Sequence, residues 1–212
     1  TGKNGGEMGF WQHLAELRRR ILWAAAFVFV GFMGCWPLAD KLSTFLARPV
    51  QDLLPTGTRL AFTSLTEPFM MYVKVSFTAG IFAASPFVFW QLWLFVAPAL
   101  TRRERRLVWP FLVGTTFFFV LGGLFAFKVV FPLACRFFLS LGEPFTPVII
   151  LDAYFTLALR LLLGIALVFE LPVLMFLLSR LGILSPAFLR RTFKYAVLLI
   201  FVVAAVITPT PD

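Results

Sequence analysis

One histidine, two cysteines and ten acidic residues are spread over 212 positions, and charged residues make up only 14% of the chain. Each shortage excludes something. His13 lies in the polar N-terminal tail, so Ser–His and metal–His catalysis inside an apolar core is ruled out. One histidine and two distant cysteines cannot assemble a metal site, and no cofactor is expected. No Walker lysine loop and no dinucleotide glycine pattern occurs, which leaves little room for enzymatic activity. So few charges could not cover the surface of a soluble core of this size.

What is abundant points the same way. Sixty per cent of the residues are hydrophobic, 28 are phenylalanine, and the mean hydropathy is +0.92. The expected fold class is all-α, a polytopic transmembrane helical bundle. A net charge of +9 raises the question of nucleic acid, but the basic residues cluster between apolar runs and read as topology signals. A nucleic-acid partner is therefore not expected.

Five apolar segments can be traced, at 21–39, 75–97, 107–127, 153–178 and 195–207. With their helical flanks they predict spans at 21–39, 68–97, 107–130, 153–178 and 194–208. A bilayer core of about 30 Å needs about 20 apolar residues, which the first four supply. The fifth apolar run is shorter and calls for extended flanks or a locally thinned membrane. Lys3 and Arg18 to Arg20 precede the first span; Arg102, Arg103, Arg105 and Arg106 follow the second; Arg180, Arg190, Arg191 and Lys194 follow the fourth. Twelve basic residues thus fall on one side with Glu7, Glu16 and Glu104, whereas the opposite connections are roughly balanced in charge. The N-terminus is expected in the cytoplasm. No small-residue cleavage site follows the basic flank, so the first span reads as retained. The chain opens on Thr1, without an initiator methionine, which predicts a longer gene product.

The connection 40–67 reads as an outer cap, with an amphipathic stretch over Lys41–Val50 lying along the interface. Thr66-Glu67-Pro68 supplies a polar residue, a first-turn acid and a proline at the start of the second span. Cys35 and Cys135 fall near the same outer face. A disulfide is chemically open to them, and two unrelated small apolar residues is the favoured reading. Pro86, Pro110 and Pro172 should bend their spans. No internal repeat is visible, so the inverted-repeat plan of many secondary transporters has no support.

Four polar residues invite a chemical role. Glu16, in His13-Leu14-Ala15-Glu16-Leu17-Arg18-Arg19-Arg20, and Glu104, in Arg102-Arg103-Glu104-Arg105-Arg106, are acids among arginines on one membrane side. Two carboxylates at fixed spacing can read two guanidinium groups through paired hydrogen bonds. Spacing alone favours the plainer reading, in which each acid neutralises its own neighbours. Glu170 lies within the fourth span, two residues before Pro172, and an ionisable group there points to function by default. A proton- or cation-coupled secondary transporter working through Glu170 is the alternative function. Gln91, among Phe89, Trp90 and Trp93, reads as a hydrogen-bonding link between helices.

A run of short motifs then converges: His13-Leu14-x-Glu16-Leu17-Arg18, Arg48-Pro49, Glu67-Pro68-Phe69, Phe95-Val96-Ala97-Pro98-Ala99-Leu100, Glu104-Arg105-Arg106, Phe131-Pro132-Leu133, Phe169-Glu170-Leu171-Pro172 and Thr208-Pro209. Each is weak alone, but their order and hydropathy setting together are specific. The chain resembles TatC, the multispanning receptor subunit of the twin-arginine protein translocase. The resemblance implies a concave, glove-like bundle in a bacterial cytoplasmic membrane, with six spans in the family and five present here. It also implies binding of twin-arginine signal peptides on folded cargo, through Glu16 and Glu104 with Phe95, Arg18 and Arg105. This reverses the spacing-only preference. Glu170 becomes the acid of the groove, Pro49 a shaper of the outer cap, and Thr208 and Asp212 part of the last outer region. The implied partners are TatB-like and TatA-like single-span subunits, further copies of the chain, and membrane lipid, with the proton-motive force as driver.

Overall fold

The computed structural model describes residues 4–53, 60–97, 108–142 and 148–180. The fifth apolar segment and the loop carrying Glu104 and Arg105 lie outside them, as do Thr208 and Asp212. Seven α-helices are described: α1 (Asn4–Cys35), α2 (Ala39–Gln51), α3 (Glu67–Val96), α4 (Val108–Phe125), α5 (Phe131–Leu141), α6 (Leu151–Phe169) and α7 (Leu171–Arg180). Among the described residues four stretches are long and apolar enough to cross a membrane: Trp11–Gln51, Glu67–Val96, Val108–Leu141 and Leu151–Ser179. The polypeptide is an all-helical membrane bundle. Its described residues hold one isolated β-bridge, where Ala61 meets Ile150 ahead of α6.

Glycine sets how closely the helices approach. A Cβ on Gly31 of α1 would stand 2.6 Å from the Gly80 carbonyl oxygen, and one on Gly80 would stand 2.5 Å from the Phe32 nitrogen. Backbone therefore touches backbone where α1 crosses α3, the membrane solution when hydrophobic exclusion of water cannot drive association. Gly122 does the same for α4 and α6, where a Cβ would lie 2.9 Å from the Ala166 Cα. Among the described helices α1 leans chiefly on α3, while α3, α4 and α6 pack on one another.

Prolines shape the spans with local compensation. Pro86 inside α3 has no N–H for the Phe82 carbonyl, and the Ser85 hydroxyl donates to that oxygen at 2.7 Å. A five-residue π turn, Ala126–Val130, links α4 to α5, closed by the Phe131 N–H on the Ala126 carbonyl just before Pro132. Helix continues through this turn to Leu141, eleven residues past the predicted end of the third span at 130. Between α6 and α7 the backbone turns at Glu170, with Pro172 in the first turn of α7.

Aromatic side chains mark two levels. Trp36 meets Phe69 at one end of α3 and Trp90 meets Trp109 at the other, with ring centroids 6.0 and 6.1 Å apart. Phe69 and Trp90 are separated by about 32 Å at ~1.5 Å per residue, close to a hydrocarbon thickness of roughly 30 Å.

The cap end holds the larger of two buried apolar clusters among the described residues. Helix α2 buries Ala39, Ser43, Leu46, Ala47 and Val50, one helical stripe, and leaves Lys41 and Arg48 outside. The stripe joins a core with Met71, Val75, Phe131, Tyr154 and Phe155. The Tyr154 hydroxyl donates to the Leu46 carbonyl at 2.7 Å, fastening α2 to α6. Ahead of α3, the Glu67 carboxylate accepts from the Thr63 and Ser64 N–H groups at 3.1 Å each, and from the Thr63 hydroxyl. Cys35 and Cys135 are both free thiols.

Candidate functional site

The tail end of the bundle gathers residues from two helices. Glu16 and Arg20 are one turn apart on the face of α1 directed at α3. Arg20 Nε donates to Glu16 Oε1 at 2.6 Å and Nη2 stands 2.5 Å from the same oxygen. The third guanidinium contact crosses to α3, where Nη1 donates to Gln91 Oε1 at 3.1 Å. Gln91 is 8% exposed, so its amide is a fixed post rather than a solvated side chain. Arg20 therefore ties Glu16 to α3, and both side chains are half-buried.

One turn beyond each of these residues, the helices meet again. The His13 ring stacks on Phe95 with centroids 4.5 Å apart and planes 28° from parallel. His13, Glu16 and Arg20 follow a three–four spacing on α1, and Gln91 and Phe95 are four apart on α3, so each set occupies one helix face. The result is a carboxylate flanked by an aromatic pair and held by a guanidinium. Both contacts from Arg20 fall on Oε1, which leaves the Oε2 oxygen as the acceptor an incoming guanidinium can address.

Sequence reasoning singled out Glu16, Phe95 and Gln91, and the structure brings all three to this end. It missed Arg20 and His13 as site members. The signal available for Arg20 was its i, i+4 relation to Glu16. Arg18 is elsewhere: it is exposed and lines an open groove with Arg19, Leu22 and Trp23 on another face of α1. Two residues of helix rotate a side chain by about 200°, which separates Arg18 from Glu16. Glu104 and Arg105 lie outside the described residues.

Glu170 occupies the turn between α6 and α7. Its N–H donates to the Leu167 carbonyl at 3.1 Å, and its own carbonyl accepts from the Leu174 N–H at 2.9 Å. Its Oε1 is buried with no hydrogen-bond partner among the described residues. Nearer the cap, Lys74 Nζ stands 2.5 Å from Asp152 Oδ1 and 3.0 Å from Thr156 Oγ1, linking α3 to α6. Pro49 is half-buried at the rim of a second groove between α2 and α5. Among the described residues no cluster of three or more potential metal ligands occurs.

The comparisons with known proteins agree with this architecture. Residues 12–212 match the family described as Sec-independent protein translocase protein (TatC). The chain is 43% identical over 208 residues to the Sec-independent protein translocase protein TatC of Koribacter versatilis, covering 97% of this chain and 77% of that protein. It is 39% identical over 202 residues to the counterpart in Magnetococcus marinus, covering 95% of this chain and 74% of that protein. The crystal structure of a twin-arginine translocase receptor, TatC, superposes with a TM-score of 0.85 at 34% identity, over 94% of this chain and 88% of that one. With the helical bundle and the family match both in place, the chain belongs to the TatC family of Sec-independent protein translocase proteins.

Proposed function

We propose that this translocase component is the receptor for twin-arginine signal peptides, with its tail end facing the cytoplasm of a bacterial inner membrane. The observation that carries the reading is the Glu16 carboxylate, held by Arg20 and Gln91 beside the stacked His13 and Phe95. With Arg20 holding Oε1, a peptide guanidinium gains a charge-assisted bond at Oε2 of a half-buried acid, where such contacts outweigh those between solvated side chains. The Phe95 ring offers apolar surface to the hydrophobic part of a signal peptide. Glu104 is the second acid, reading the second arginine, with Arg105 beside it. Orientation follows from the arginines that flank the first span.

Glu170, at the break between α6 and α7, serves a later step than docking. Its Oε1, without a hydrogen-bond partner among the described residues, is an acceptor for a polar group on a TatB-like or TatA-like transmembrane helix. Transport of small solutes through Glu170 has no such support from the family.

Photocrosslinking tests the reading directly. A twin-arginine peptide bearing a photoreactive group next to its arginines is expected to label the chain around Glu16 and Phe95. Labelling that is confined to the cap end, or that is equal for a peptide with both arginines replaced by glutamine, would refute it.

A further inference from the structure

The cap end carries a second groove, of about 270 Å³, unrelated to the signal-peptide site. Its floor is apolar: Phe45 of α2 and Phe127 of the π turn stack with centroids 4.5 Å apart, next to Pro132. Its rim is cationic, with Arg48 from α2, Lys128 from the π turn and Arg136 from α5. All three are exposed and form no ion pair among the described residues, and Asp52 is the one acid lining the groove. Three elements thus bring three cations and one acid to a single apolar slot, an excess of positive charge among the described residues.

Depth identifies the surroundings. Lys128 lies 19 residues beyond Trp109, whose ring meets Trp90 at the tail-end aromatic level. At ~1.5 Å per residue that is about 30 Å, one hydrocarbon thickness. The rim therefore sits at the headgroup level of the membrane face opposite the Glu16 site. Cations above an aromatic floor at that level match a molecule with a phosphate at one end and hydrocarbon at the other. A free anion would leave Phe45 and Phe127 without a role. We propose that this groove binds the headgroup phosphate and upper acyl chain of an anionic membrane phospholipid, pinning the α2 cap to the bilayer. The proposal is independent of the signal-peptide reading.

The test uses the full chain in phosphatidylcholine vesicles containing a trace of phosphatidylglycerol with a photoreactive acyl chain. Adducts are mapped to peptides. Labelling is expected on the segments around Phe45–Asp52 and Phe127–Arg136, and the phosphatidylcholine analogue should label them far less. One basic residue near an anionic surface is worth about fivefold in affinity, so R48Q/K128Q/R136Q should lose at least about that factor. R48K/R136K should keep the labelling, and each single glutamine variant should lose part of it if the triple variant folds poorly. Equal labelling by both lipids, or single variants all matching the wild type, would overturn the proposal. Competition by excess inorganic phosphate that abolishes labelling would also overturn it, because the ligand would then be a free anion.

Discussion

Arg20 and Gln91 meet across 71 positions of sequence, Nη1 donating to Oε1 at 3.1 Å, and that bond fixes where the Glu16 carboxylate stands. Gln91 is thus a positioning residue for an acid it does not touch. Replacing Gln91 by leucine should release the guanidinium and weaken binding of a twin-arginine peptide. Hydrogen bonds to charged groups are worth about 1.5–3 kcal/mol, so a loss of roughly tenfold is expected. A merely structural role would lower thermal stability and leave the affinity of the folded fraction unchanged. Titration of labelled peptide, with helix content measured in parallel, separates the two.

The α1–α3 crossing is predicted to be intolerant at Gly80 and permissive at Gly34. A Cβ at Gly80 would fall 2.5 Å from the Phe32 nitrogen, whereas a Cβ at Gly34 meets nothing within 4 Å. Overpacking of this kind costs about 1–3 kcal/mol. Thermal melting in detergent should therefore show Gly80→Ala destabilised and Gly34→Ala near wild type. Because α1 leans chiefly on α3, Gly80→Ala should also weaken peptide binding.

Ser85 and Pro86 should behave as a pair. Ser85→Ala leaves the Phe82 carbonyl without the hydroxyl that now serves it and is expected to cost about 1–3 kcal/mol. Adding Pro86→Ala restores a backbone N–H at the position that a continuous helix uses, so the double variant should recover most of the loss. Chemical or thermal denaturation of the four-member cycle measures the coupling, and strict additivity would contradict the account.

Lys74 and Asp152 should couple more strongly in bilayers than on a water-exposed surface. The Lys74 and Asp152 side chains are 40% and 42% exposed, so the pair falls between the roughly 0–1 kcal/mol of a solvated pair and the larger cost of breaking a buried one. Asp152→Asn in nanodiscs should destabilise the protein clearly, and Lys74→Met added to it should bring stability back toward wild type. The second substitution adding further loss would show that the pair sits in water.

Glu170→Gln is expected to leave peptide docking unchanged and to lower cargo export, because the residue lies at the α6–α7 break and not with Glu16. Export assays beside docking measurements check this, and normal export would remove Glu170 from the mechanism.

Much of the bundle was legible in the sequence because membrane insertion is written in composition. Runs of apolar residues and the placement of arginines need no knowledge of the tertiary fold. The π turn at Ala126–Val130 was not legible: Phe131-Pro132 looks like the end of a span, yet a proline is tolerated in the first turn after such a break. At the tail end, Glu16 stood out because an acid among arginines is anomalous. Arg20 did not, because three consecutive arginines look alike until helix phase separates them. Its bond to Gln91 joins distant segments, and no local pattern encodes that. The stack of His13 on Phe95 was hidden for the same reason.

The most direct test of the central claim is the affinity of a twin-arginine peptide for the full chain and for Glu16→Gln, with a twin-lysine peptide as comparison. The account predicts binding of the arginine peptide by the wild type, weaker binding of the lysine peptide, and a loss of about tenfold or more in the variant, since a charge-assisted bond is removed. Equal affinity of the folded variant and the wild type for the twin-arginine peptide would contradict it.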